Sequence, residues 1–301
     1  MINGIVNVYK EAGYTSFDVV AKLRGILGQR KIGHTGTLDP DATGVLPVVL
    51  GSATKLVDML TDKRKEYVAN FELGKVTDTQ DISGTVVSEQ ACTATDAEVR
   101  STIEKFVGDI MQIPPMYSAL KVDGKKLCDL AREGKVVERK PRPVTIYDIE
   151  ILELNIPNVR IRVECSKGTY IRTLCHDIGE MLGCGAVMTK LERTRSGDFY
   201  IDTSLTLSQI EKARDNGTLE SAIIPVDALF TEYAKACPKG EELKRVLNGN
   251  GVYINKMNKY ISDTGVRKCI RVYDENDCFL ALYERDDKKH IYRVKQMFGS
   301  N

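Results

Sequence analysis

Two alternating runs, Val144–Leu154 and Val159–Cys165, stand four residues apart and place the tightest constraint on this chain. In the second, Val159, Ile161 and Val163 fall on one side and Arg160 and Arg162 on the other. Successive side chains on a strand point to opposite faces, so this pattern suits a sheet with one covered face and one wetted face. Lys65–Leu73 alternates in the same way, Gly4–Val8 is a short strand candidate, and Val45–Leu50 is apolar throughout, as in a buried strand. Helical patterns stand apart from these runs. One starts at Thr15-Ser16-Phe17-Asp18 and carries Val19, Val20, Leu23 and Leu27, Thr54–Leu60 is another, and Asp96 caps a third carrying Val99, Ile103 and Phe106. Lys31–Gly44 reads as an irregular loop, Asp78–Gly84 as a turn, and Val122-Asp123-Gly124-Lys125 as a hairpin turn. Paired strands with separate helices predict an α+β fold, not a parallel βαβ series.

Beyond about residue 238 the texture changes to short strands broken by Gly and Asn: Val252–Ile254, Ile270–Tyr273, Phe279–Tyr283 and Ile291–Met297. That spacing suits a small all-β barrel, so two units are expected, residues 1–234 and 238–301. Charge follows the same division. Formal net charge is only +1, but Lys and Arg outnumber Asp and Glu by 14 to 9 over residues 235–301 and are outnumbered 29 to 33 before them. A basic appended unit on a mildly acidic body is compatible with nucleic-acid binding, although charge alone also describes a solvated surface.

With 42% hydrophobic and 28% charged residues the composition is that of a globular protein. No apolar run approaches the roughly 20 residues of a membrane span, and the N-terminus lacks the order of a signal peptide, so a cytoplasmic location without membrane contact is expected. The eight cysteines include no Cys-x-x-Cys pair and read as reduced packing residues. Cys175 and His176 are adjacent, which on a helix separates them by about 100° and disfavours a shared metal or a nucleophile pair.

The chemistry-bearing stretch is Gly33-His34-Thr35-Gly36-Thr37-Leu38-Asp39-Pro40-Asp41-Ala42-Thr43-Gly44, a dense polar loop before a buried strand. Pro40 restricts Asp39 to extended backbone, which fixes where its carboxylate points. Asp39 is then either an ordinary turn residue or a placed nucleophile or base. A phosphate loop of the Walker type is excluded because no Gly-Lys-Ser/Thr follows. Arg172 falls in the first turn of an expected helix, against the macrodipole, and is either an exposed helix arginine or one paired with a carboxylate that could be Asp39. Such a pair would keep Asp39 ionised. Tyr67, at the head of a strand, is either a packing tyrosine or a ring available to stack on a base. A metal site built from Asp39, Asp41, Asp78 and Asp81 would have no histidine set nearby.

Six ordered blocks carry a resemblance. They are Gly33–Gly44; Lys65 with Tyr67; Asp78-Thr79 with Asp81 and Gly84; Gln112 with Pro114–Lys121; Ser166–Arg172; and Arg193–Gly197 with Phe199. Together they closely resemble the TruB family of bacterial tRNA pseudouridine-55 synthases over most of residues 3–230. The resemblance implies a pseudouridine-synthase fold with a mixed, largely antiparallel sheet, and a basic 238–301 unit of the PUA type. It makes Asp39 the catalytic aspartate, Arg172 its ion-pair partner and Tyr67 the tyrosine under the uracil, with Tyr170 and Leu191 lining the base pocket and His34 touching RNA where the target base leaves its stack. It further implies a monomer acting on the tRNA T-arm stem-loop, with no cofactor, metal or obligate protein partner. An RNA-holding chaperone that needs no catalysis is the competing class. Three residues depart from the family pattern: Glu11, Cys128 and Glu192.

Overall fold

A computed structural model describes residues 1–122 and 124–299. Its larger sheet runs, from edge to edge, through strands Gly4–Lys10, Thr43–Leu50, Ala186–Ser196, Lys65–Leu73, Asn158–Cys165, Arg142–Asn155 and Gly108–Gln112. The expected Val144–Leu154 and Val159–Cys165 pair forms an antiparallel hairpin with Ile161 opposite Ile151 and Val163 opposite Ile149. Arg160 and Arg162 meet Glu153 and Glu150 on the neighbouring strand, so the basic face is neutralised locally.

Two packed halves flank the sheet. Phe71, Ile161, Val163 and Leu191 pack with Val99 and Ile103 of helix Asp96–Glu104 and with Leu174 and Ile178 of helix Ile171–Met181. At the other end Val6, Val8, Leu46 and Val48 pack with Val19, Val20 and Leu23 of helix Ser16–Leu27 and with Ile210 of helix Leu207–Asp215. Helix Ser16–Leu27 starts as its sequence suggests, with Thr15 and Asp18 closing a reciprocal cap. The second cap lies one residue earlier than expected, at Thr95, which pairs with Glu98.

The halves meet at a seam. Strand Ala186–Ser196 pairs antiparallel with Lys65–Leu73 along its length. Against Thr43–Leu50 it runs parallel and matches only at Glu192–Thr43 and Arg193–Gly44. Such a short parallel contact lets the two strands diverge, and the loop preceding Thr43 sits where they part. Glu192, one of the departures from the family pattern, ties this seam by accepting from the Tyr9 hydroxyl at 2.9 Å and the Thr43 hydroxyl at 3.4 Å.

Other expectations need correction. Lys31–Gly44 is not wholly irregular, because Ile32–His34 pairs with Val48–Leu50 as a short strand. Thr54–Leu60 is divided between a 3₁₀ turn, Gly51–Leu56, and an α-turn, Val57–Thr61. Lys121–Val122 and Lys125–Lys126 pair as a hairpin, while Asp123 of the expected Asp-Gly turn lies outside the described residues.

A second sheet orders Tyr233–Ala236, Val266–Tyr273, Phe279–Asp286, Ile291–Met297 and Val252–Tyr253, curled around Val246, Met257, Ile270, Tyr283 and Tyr292. Its first strand begins at Tyr233. This unit rests on the larger one: Leu282 and Phe298 join the cluster of Ile5, Val45 and Phe230, and the Tyr273 hydroxyl donates to Asp227 at 2.7 Å.

Gly44 is the glycine on which the seam depends. Its φ is +103°, and a Cβ there would lie 2.2 Å from the Arg193 carbonyl oxygen. Gly44→Ala is therefore expected to lower stability by about 2 kcal/mol or more, read as a fall in the urea midpoint with unchanged slope.

Candidate active site

The loop carrying Asp39 is held on both sides of that residue. Leu38 donates its N–H to Ser16 Oγ at 2.9 Å, and its side chain is buried with Ala42 in the core. The Pro40 carbonyl accepts from Gly13 N–H at 3.0 Å and from Lys10 Nζ at 2.8 Å. Asp39 closes the turn by accepting Ala42 N–H at 3.2 Å. Its neighbours are thus anchored in the fold while its own side chain keeps 41% of its surface open. This is a carboxylate aimed by its surroundings and accessible from outside.

Arg172 meets it from helix Ile171–Met181. The guanidinium is 5% exposed and uses every nitrogen: Nε lies 3.2 Å from one Asp39 oxygen, and Nη2 donates to the other at 3.3 Å and to the Tyr117 carbonyl at 2.9 Å. Nη1 reaches Asp81 at 3.1 Å and the Thr79 carbonyl at 3.3 Å. One buried cation therefore holds two carboxylates from different loops, which offsets both its desolvation and its unfavourable place at a helix N-terminus. The helix start is itself fixed by Gln112, whose buried amide accepts Tyr170 N–H at 2.8 Å and donates to the Tyr170 carbonyl at 3.0 Å.

Arg172 opposes protonation of Asp39, as the sequence reading expects, but it does not act alone. Burial pushes the Asp39 carboxyl above its ordinary value and Asp81 adds to this, while Arg172 opposes it. Enclosure of the loop outweighs the ion pair.

Of the remaining expected residues, Tyr67 and Tyr170 lie close enough to feel the Asp39 charge, Leu191 shares the core cluster of Leu38, and His34 stays at the start of the loop. Tyr67 packs on the same core cluster as Leu38, Ala42 and Leu191, and burial raises its phenol. Leu191 is almost fully buried there. Tyr170 precedes the Arg172 helix, half-buried. His34 accepts the Gly36 N–H through Nδ1 at 3.3 Å, and burial together with Arg193 holds its ring below the usual histidine value, hence neutral. Cys175 is buried among core side chains with its thiol pushed up, in line with a packing role.

Four residues of the site were not recognised from sequence. Asp81 entered as part of a motif block and as a conceivable metal ligand, with no role assigned beside Arg172, yet it is half of the arginine clamp. Gln112, Lys10 and Arg193 are all buried; Gln112 and Arg193 stand in the motif blocks but nothing in their local spacing marks them as buried, and Lys10 ends a largely apolar strand. Cys128, another departure, donates its N–H to the Ser118 carbonyl, and nothing in the structure explains the choice of cysteine.

The chain is similar to two family models, "TruB family pseudouridylate synthase (N terminal domain)" over residues 24–171 and "tRNA pseudouridylate synthase B C-terminal domain" over residues 172–231. It is 52% identical to tRNA pseudouridine synthase B of Lachnoclostridium phytofermentans, covering 99% of this chain and 100% of that protein. The corresponding protein of Clostridium novyi is 47% identical, covering 95% and 97%. Among solved structures, a chain in an H/ACA RNP bound to a substrate RNA containing 2′-deoxyuridine superposes with a TM-score of 0.71 at 27% identity, covering 99% of this chain and 85% of that one. A chain in a Cbf5-Nop10-Gar1 complex gives 0.71 at 30% identity, covering 98% and 85%.

Removing the clamp should be costly. Arg172→Gln leaves Asp39 and Asp81 facing each other without a cation, with an expected loss of about 3 kcal/mol by chemical denaturation. The same change should move the Asp39 carboxyl further up, as followed by carbon NMR of its side chain. An Asp39 titration at or below that of the wild type would contradict the clamp.

Proposed function

The chain belongs to the TruB family of pseudouridylate synthases, and from this premise we propose that Asp39, Arg172 and Tyr67 carry its reaction on a uridine of the tRNA T-arm, at position 55. It is an isomerase that converts uridine to pseudouridine in tRNA. The reaction breaks a C–N glycosidic bond and makes a C–C bond, with no net redox change and no hydrolysis. An RNA-holding role without catalysis is not the reading that its relatives favour.

The observation that carries the residue assignment is the Arg172 clamp. A pure RNA binder has no use for a half-open carboxylate beside phosphate, and here a buried guanidinium is committed to holding one in place. The target base must leave its stack to reach Asp39. Tyr67 and Leu191 offer the apolar floor on which the uracil rests, with Tyr170 at the pocket wall. Neutral His34 stands five residues before Asp39 and donates through its free ring nitrogen to the RNA where the base departs. Asp39 supplies the carboxylate for C–N cleavage, through the base or the ribose. After the uracil has turned and bonded through C5, the C5 proton leaves to Tyr67.

The catalytic unit in this reading ends before Tyr233, short of the expected residue 234, because strand Tyr233–Ala236 pairs into the second sheet, and that second unit is PUA-like and RNA-binding. The basic balance of that second unit supports contacts to the tRNA backbone. The enzyme acts as a monomer in the cytoplasm.

Tritium release from tRNA transcript labelled at uridine C5 tests the assignment. Asp39→Asn should lower the rate on the order of 10⁴-fold or more. Release equal to wild type would remove Asp39 from the chemistry, and no release by the wild type would leave only binding. Asp39 binds its proton more tightly than a free aspartate and acts as the anion, so activity should fall as pH drops through a value above the ordinary carboxylate one of about 4. Affinity for tRNA should weaken steeply as salt rises, because Lys and Arg displace counterions.

A further inference from the structure

Arg193 is among the most deeply buried side chains of the protein, at 1% exposure, and it has no carboxylate within ion-pair distance among the described residues. Its Nε donates to the Val45 carbonyl at 2.6 Å and its Nη2 to the Gly36 carbonyl at 3.2 Å. These two carbonyls bracket the loop that carries Asp39. In the sheet, Arg193 stands directly opposite Tyr67 on the antiparallel neighbour, so the two side chains leave the same face about 5 Å apart at Cβ. A β-bulge follows at once, between Arg193 and Arg195, as bulges do where a strand re-aims a side chain.

A buried cation without an anion is costly, and two carbonyl dipoles do not cancel it. The groups facing it are Lys10 of the first strand, His34 at the end of the short strand before the loop, Lys65 and Tyr67 of the adjacent strand, and Cys165 beyond. Asp39, the acid of the nearby loop, is claimed by Arg172. Of the facing groups, Tyr67 is the one that carries negative charge, as its phenolate, when it acts as a base.

We propose that Arg193 is a positioning residue for the isomerisation, a permanently charged group that acts through Tyr67 while holding the Asp39 loop by its two ends. The inference rests on Tyr67 as acceptor of the C5 proton. In that step the Tyr67 phenolate, its own proton already released to solvent, takes the proton from C5. The C5–H electron pair becomes the C5–C6 double bond, and the C6–N1 double-bond pair moves to N1, which takes a proton from solvent. Arg193 stabilises the phenolate that this step needs, and its field lowers the Tyr67 phenol against the upward push of burial. The choice of arginine has a physical reason. Burial pushes Lys10 and Lys65, its neighbours, down to about 8, so a lysine here would lose its charge in the working range, whereas a guanidinium keeps it.

The test uses full-length enzyme and tRNA transcripts carrying hydrogen or deuterium at uridine C5, in single turnover from pH 6 to 9.5. Arg193→Lys should match wild type within a few-fold at low pH and then lose about ten-fold as pH rises through about 8. In the affected range its rate should become sensitive to deuterium, with unchanged tRNA affinity. Arg193→Gln should lose 10- to 100-fold at all pH values and show the same isotope sensitivity. A lysine variant whose profile superimposes on wild type, or slow variants without isotope sensitivity, would reduce Arg193 to a loop anchor and overturn the proposal. Tyr67→Phe separates the two readings. Full activity in that variant refutes the proton-acceptor role itself, whereas an impaired Tyr67→Phe beside a wild-type-like Arg193→Lys refutes only the part given to Arg193.

Discussion

One guanidinium shared by two carboxylates is the interaction around which the structure is organised. Arg172 is buried in a region whose surroundings penalise charge, and it remains there because Asp39 and Asp81 approach it from separate loops. The exchange is reciprocal. Asp39 gains direction from the clamp, but its enclosure and the nearness of Asp81 raise its affinity for a proton. A carboxylate that is aimed yet weakly held as an anion is more reactive than one fully neutralised by its partner.

The sheet makes this arrangement possible by being imperfectly joined. The strands on either side of the seam share only two register positions, and the loop that bears Asp39 leaves one packed half, seats Leu38 and Ala42 in the core of the other, and returns. Gly44 admits the close approach of the Arg193 backbone, Glu192 ties the outer edge, and Lys10 holds the loop by the Pro40 carbonyl. The buried cations Lys10, Lys65 and Arg193 end on backbone carbonyls, so their charge is oriented without being neutralised. The field of Lys10 reaches Asp39 and that of Arg193 reaches Tyr67.

Several parts of this arrangement were legible in the chain. Alternation in Lys65–Leu73 and Val159–Cys165 announced the sheet, and the reciprocal cap at Thr15 announced its first helix, because both are local rules of spacing. Asp39, Tyr67 and Arg172 stood out through motif blocks, and the fold brings Asp39 and Arg172 into contact. Asp81, Gln112 and Arg193 were visible as residues but not as participants. Their partners lie far away along the chain: Arg193 meets Gly36 and Val45, and Gln112 meets Tyr170.

By itself, then, the sequence determined an α+β body with a small β unit after it, a dense polar loop in which Pro40 restricts Asp39, and a family of six ordered motifs. Tertiary structure alone decided that Arg172 serves two acids, that Asp39 holds its proton more firmly than an isolated aspartate, and that Arg193 is buried beside Tyr67 without an anion. The reason is that periodicity and capping act between residues a few positions apart, whereas desolvation and charge pairing depend on which distant segments the fold brings within a few ångströms.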